Sequence, residues 1–309
     1  MSTNTVVTFT DFSATADNAV QRAAQLAARL GVTLHLGYSG TACGPERGER
    51  LVRLDMRSRQ LARRWAIDVQ LPPPHDPRGL TRWLASLGPT ALAVVDLGTL
   101  ASPKLRCGWG AQLALLDHGT LPVLLVQRDA GQACNTVLIA LHQHEDAVRL
   151  GRLTSRLVDA HTIELFDLHN RHRAGLAPAP VDGRVHHREW PPPATPGVAA
   201  PQIRYSDHLS SRCNRALFHG QSTDRVLPVI HQAHRAGADL VATVCFPSNL
   251  LERWLGRAYA QRLAKSLGCD VLLCPTGQSH PSAVDARHRL KAGMSAAVLR
   301  PGRAAWGRT

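Results

Sequence analysis

The side chains able to do chemistry fall into three groups. The first is the turn Asp11-Phe12-Ser13, between the β-branched run Val6-Val7-Thr8-Phe9-Thr10 and an amphipathic stretch from about Thr15 to Leu30. A carboxylate at the end of a strand can contact a ribose hydroxyl or a base edge. It can equally cap the helix that follows, where Ser13 or Thr15 is also placed to do so. The second group is histidine: His142 and His144 follow an apolar run, and His169, His172, His186 and His187 lie further on. Neutral imidazoles ligate zinc, but this spacing matches no structural zinc pattern, and no metal is expected. The third group is the seven cysteines at 43, 107, 134, 213, 245, 269 and 274. They are scattered and odd in number, with no C-x-x-C, which predicts reduced thiols rather than a disulfide framework. Cys245 and Cys274 adjoin apolar runs and read as buried, inert thiols. The chain has no G-x-S-x-G elbow, no G-x-x-x-x-G-K-[ST] loop and no H-E-x-x-H. No catalytic residue is therefore assigned, and a non-enzymatic protein is expected.

These residues need a frame to position them. After the opening strand, turn and helix, with Gly31 placed to stop the helix, Thr33–Tyr38 reads as a strand and Arg50–Trp65 as a charged amphipathic helix. Ile67–Leu71 is a short strand, 78–87 a helix, and Ala91–Val95 a strand apolar throughout, as expected of one buried on both faces. A loop over 98–110, a helix over 111–117 and the strand Leu121–Val126 complete the first series. Asp129–Ala133 reads as a linker, and the series restarts. The strand Thr136–Leu141, the helix 145–159 and the strand Thr162–Phe166 come first. A stretch at about 169–205 follows, holding seven prolines and read as an irregular insertion. Ala216–Phe218 is the next expected strand, then a helix over 223–236, the strand Asp239–Val244, a helix over 253–267 and the strand Asp270–Cys274. Alternation of this kind implies parallel sheets with right-handed crossovers. The expected domains are 1–130 and 131–276, followed by a basic, disordered tail over 277–309. The two series align as an internal duplication, Gly88–Val95 with Gly237–Val244 and Leu121–Val126 with Cys269–Cys274.

Charge narrows the function classes. The chain of 309 residues carries a formal +13, of which residues 1–132 hold +4, residues 133–276 +4 and residues 277–309 +5. The excess is densest in the tail, and the two series are only mildly basic. Aromatic residues make up 5% of the chain and form no basic–aromatic stripe along the sequence, so nucleic-acid binding is not expected except through the tail. No apolar run reaches the roughly 18 residues of a membrane span. The start, Met1-Ser2-Thr3-Asn4, has no signal-peptide character, and the cytoplasm is the expected location.

The order of these segments resembles the universal stress protein family in its tandem form. The resemblance rests on Val6–Leu36 with its Thr10-Asp11-Phe12-Ser13 turn, Leu92–Gly98 and Leu121–Val126. In the second series it rests on Val137–Leu165, Ala236–Val241 and Asp270–Leu273. It implies two five-stranded, Rossmann-like domains of the adenine nucleotide alpha hydrolase-like type, paired as a pseudo-dimer through their last strands. It also implies, for many members, ATP bound by the aspartate after the first strand and by a loop of the form G-x-x-G-x9-G-S/T after the fourth. Glycines there let backbone N–H groups approach phosphate oxygens. Carried onto this chain, the resemblance makes Asp11, Gly98, Gly108 and Gly110 a candidate nucleotide site. The pattern is damaged: Ala101 replaces the second glycine, and Gly108-Trp109-Gly110-Ala111 replaces the closing Gly-Ser. In the second series His142 replaces the aspartate, and Val244–Asn249 lacks the early glycines. The resemblance thus implies a bacterial stress-response module, acting on an unidentified protein partner or small ligand, with ATP at most in the first series. Weak ATPase activity, a homodimer and a nucleic-acid role for the tail stay as alternatives.

Overall fold

The computed structural model describes residues 3–39, 47–72, 83–84, 86–87, 91–96, 121–141, 144–168, 201–207, 226–245, 259–260 and 262–275. Gly98, Gly108, Gly110, His142, the expected strand 216–218 and the tail from 277 lie outside these residues. Residues up to Pro275 form one compact unit.

The chain opens with β1 (Thr5–Thr10), whose side chains alternate between two cores. Val6 enters one, and Val7 and Phe9 the other. The helix α1 (Ala14–Leu30) starts at Ser13, whose Oγ accepts the N–H of Ala16 at 3.2 Å, and stops at Gly31 in the left-handed region at φ 65°. That conformation is open to glycine at little cost, which is why the sequence marks the helix end so clearly. Then come β2 (Thr33–Tyr38), α2 (Arg47–Trp65), β3 (Val69–Gln70), β4 (Ala91–Asp96) and β5 (Val123–Val126). All six residues of β4 are buried, as its unbroken apolar run implies. The second series contains β6 (Thr136–Leu141), α3 (His144–Leu157), β7 (Thr162–Asp167), β8 (Gln202–Asp207), α4 (Val226–Ala236), β9 (Leu240–Cys245) and β10 (Asp270–Pro275).

The ten strands form one sheet in the order β3-β2-β1-β4-β5-β10-β9-β6-β7-β8. Each half repeats the same order outward from the centre, and every pairing is parallel except β5 with β10. There Val271 faces Leu125, Leu272 faces Leu124 and Leu273 faces Val123, so a pseudo-twofold axis passes between Leu124 and Leu272. Helices cover both faces. One core gathers residues of α1, α2 and α3, the other residues of α4 and of the helical stretches near 84 and 260–267. Both cores run through both halves.

Two sequence expectations change. The third strand of the second half is β8, which pairs with β7 from Thr162↔Gln202 to Asp167↔Asp207. The expected irregular stretch therefore ends before Gln202; the alternation Gln202-Ile203-Arg204-Tyr205 is an edge-strand pattern hidden beside Pro201. The alignment of the fourth strands also slips by one residue, while that of the last strands agrees with the register. Val6 pairs with Leu92 and Val137 with Leu240, so Asp96 at the end of β4 corresponds to Val244. One residue of slip exchanges the two faces of a strand, and the core-facing pattern settles the register.

Candidate functional site

In this strand order the first half reverses direction of winding between β1 and β4, and α/β sheets bind ligands outside the carboxyl ends of strands at such a point. Asp11 lies there. Its Oδ1 accepts the N–H of Ser13 at 2.9 Å, while the Thr10 Oγ1 accepts the N–H of Phe12 at 2.9 Å. Asp11 thus closes its own turn, and the helix cap falls to Ser13. Between them Phe12 adopts φ 65°. A bulky side chain in the left-handed region is strained, and such strain persists only where the surroundings hold it.

The surroundings of Phe12 are aromatic and cationic. Its ring lies 5.6 Å from that of Tyr38 at the end of β2, and the Arg53 guanidinium stands 4.3 Å above its centroid. Arg50 stands 5.5 Å above the Tyr38 ring. One turn further along α2, Arg57 pairs with Asp17 in the first turn of α1. Ser39 is buried beside β1, its N–H donating to the Thr10 carbonyl at 3.0 Å, and its Oγ has no hydrogen-bond partner among the described residues. Thr8 Oγ1 donates to the Val94 carbonyl at 2.9 Å and ties the ends of β1 and β4 together. Asp96 closes β4 as a buried carboxylate.

Of the four residues proposed from the sequence, only Asp11 lies among the described ones. Sequence reasoning passed over Asp96, Phe12, Tyr38, Arg50 and Arg53. Asp96 carries a local signal, a carboxylate ending the run Ala91–Val95. The other four become neighbours only through the pairing of β1 with β2 and the packing of α2 against β2 and α1. The halves also differ in chemistry. The first keeps carboxylates after β1 and at the end of β4, where the second has His142 and Val244.

The halves are joined on side chains as well as strands. The Asp270 carboxylate accepts the N–H groups of Gln127 at 2.8 Å and Arg128 at 3.0 Å, and the Arg22 guanidinium lies 3.5 Å away. Arg128 pairs with Asp239 at 2.9 Å, and Asp239 also accepts the N–H groups of Asn135 and Thr136. Burial holds the Asp270 carboxyl above its ordinary value, opposed by those backbone donors and by Arg22 and Arg128. Burial pushes the Cys134 and Cys269 thiols up to about 12, with the neighbouring carboxylates adding to it. Both thiols are free and protonated at neutral pH.

Among the described residues, no helix is long and apolar enough to cross a membrane. No protein-family model and no curated protein matches the sequence. Solved structures do. A universal stress protein from Archaeoglobus fulgidus aligns over 90% of this chain and 98% of its own at a TM-score of 0.62 and 10% identity. A functionally unknown protein from Pseudomonas aeruginosa aligns over 94% of this chain and 97% of its own at a TM-score of 0.52 and 14% identity. At such identities the likeness is one of backbone architecture: the chain has the universal stress protein fold.

Proposed function

We propose that the chain is a universal-stress-type protein of the bacterial cytoplasm that acts without catalysis, as a stress-response interaction or ligand-sensing module with a degenerate nucleotide site. The observation that carries this reading is the state of Asp11. Its Oδ1 accepts the Ser13 N–H, and the neighbouring ring is covered by Arg53. A carboxylate held by one oxygen in its own turn, with a guanidinium over the adjoining ring, leaves less room for an adenosine. The glycine loop that would hold the phosphates is broken at Ala101.

The second reading is an adenine-nucleotide binder, with slow ATPase activity at most, using the first half alone. It is favoured by the two carboxylates, Asp11 and Asp96, which the second half lacks. Isothermal titration with ATP and magnesium separates the two. The first reading expects no heat from the wild-type chain. A saturable heat that disappears in Asp11→Ala would establish the second.

A further inference from the structure

Three guanidinium–ring contacts fall along one flank of α2. Arg50 lies over Tyr38 at 5.5 Å, Arg53 over Phe12 at 4.3 Å and Arg64 over Trp65 at 5.5 Å. At about 100° per residue, Arg50, Arg53, Arg57 and Arg64 occupy only about 60° of the helix circumference, and Arg50 and Arg64 stand about 21 Å apart along it. Arg53 and Arg64 are exposed. The helix carries seven arginines against two acids, of which Asp55 pairs with Arg59 at 2.9 Å and Glu49 lies in the first turn. From α1, Asp17 engages Arg57.

A guanidinium resting on a ring loses less freedom when it binds, and its N–H edge matches a phosphate in two-point geometry. Its flat face also accepts an unstacked base, as an aromatic ring does. We propose that this flank of α2, with Tyr38, Phe12 and Trp65 behind it, binds single-stranded nucleic acid through the phosphate backbone, with bases stacking on the outer faces of the guanidinium groups. The repeat of charge with π-surface over about 21 Å suits a polymer better than a single anion. It suits a membrane poorly. The leucines Leu54 and Leu61 of α2 are spent in the protein core, and Leu51, Val52 and Met56 are the large apolar side chains that α2 exposes. The proposal stands apart from the nucleotide question, because Arg64 and Trp65 lie at the far end of α2 from Asp11.

The test uses the full chain and a short fluorescent oligothymidine, with anisotropy followed against salt. Three phosphates neutralised on a single strand give a slope of log K against log salt of about −2, and Arg53→Gln with Arg64→Gln removes about 1.4 of it. The double variant should bind at least about tenfold more weakly at low salt. Arg53→Lys separates stacking from charge: the slope should stay while the affinity drops. Both positions are exposed, and an unchanged thermal midpoint verifies the fold. The proposal fails if the wild-type chain does not bind at about 50 mM salt. It fails if the double variant binds as the wild type does, which would give the binding to the basic tail. It also fails if vesicles rich in phosphatidylglycerol are bound and the oligonucleotide is not.

Discussion

Replacing Asp270 by alanine tests how the halves are held. The side chain is 9% exposed, and its carboxylate serves two backbone donors, Gln127 and Arg128, besides the Arg22 guanidinium at 3.5 Å. Asp270→Ala leaves both N–H groups without an acceptor at the centre of the sheet. At about 1–3 kcal/mol per buried donor left unsatisfied, the loss should come to about 3 kcal/mol. It is tempered because the carboxylate itself is buried at a cost. Asp270→Asn keeps an acceptor oxygen and removes the charge, and should stay within about 1 kcal/mol of the wild type. The pH dependence distinguishes the two contributions. Burial raises the folded carboxyl above its ordinary 3.8, so the folded state keeps a proton that the unfolded chain has already released. Stability from this group is full at low pH and falls as pH rises through that window. Asp270→Asn should lack this part of the slope. Urea unfolding followed by circular dichroism measures each free energy, and at about 2–4 °C per kcal/mol the thermal midpoint of Asp270→Ala should drop by about 6–12 °C. A midpoint within 1 °C of wild type, with an unchanged urea transition, would refute the account of the seam.

Two further predictions concern packing and reactivity. A Cβ placed on Gly37 would stand 2.6 Å from two ring carbons of the buried Phe9, so Gly37→Ala should cost about 1–3 kcal/mol by the same urea measurement, and a neutral result would mean the ring is free to move. Cys269, buried and protonated at neutral pH, should resist iodoacetamide in the native protein and react once urea unfolds it; mass spectrometry finding it alkylated within minutes without denaturant would contradict its placement.

What the sequence makes legible here is local. The Ser13 cap, the Gly31 stop and the buried run of β4 each follow from a few adjacent residues, and the structure reproduces them. The strand β8 escaped because a period of two over so short a stretch is faint beside a proline-rich neighbour, and edge strands carry little apolar signal. The alignment of the fourth strands slips by one residue because Gly-Pro and Gly-Ala look alike as text, whereas pairing with β1 and β6 is a question of which face meets which core. At the site, Asp11 could be singled out by position but not by what its carboxylate does, since two acceptor roles were open and only geometry chooses Ser13 N–H. In the sequence the arginines of α2 show only as the charge of an amphipathic helix. Their contact with Phe12 and Tyr38 depends on three segments meeting, and no count of aromatics along the chain registers it.

Symmetry sets a limit on the clasp around Asp270. In a pair of identical subunits every contact across the twofold is made twice. The β5–β10 register obeys that rule, but the counterpart of Asp270 in the first half is Pro122, which has no carboxylate. The clasp to Gln127 and Arg128 is therefore made once, on one side of the axis. Two copies of the first half would hold the donors without the acid, and two copies of the second the acid with Pro275, which has no N–H, in place of Gln127. Covalent linkage fixes which half supplies the acid and which the donors, and it makes the seam insensitive to dilution, since the partner is always present at an effective concentration on the order of millimolar. A chain so arranged can let one set of strand ends drift away from the other without a twin to match.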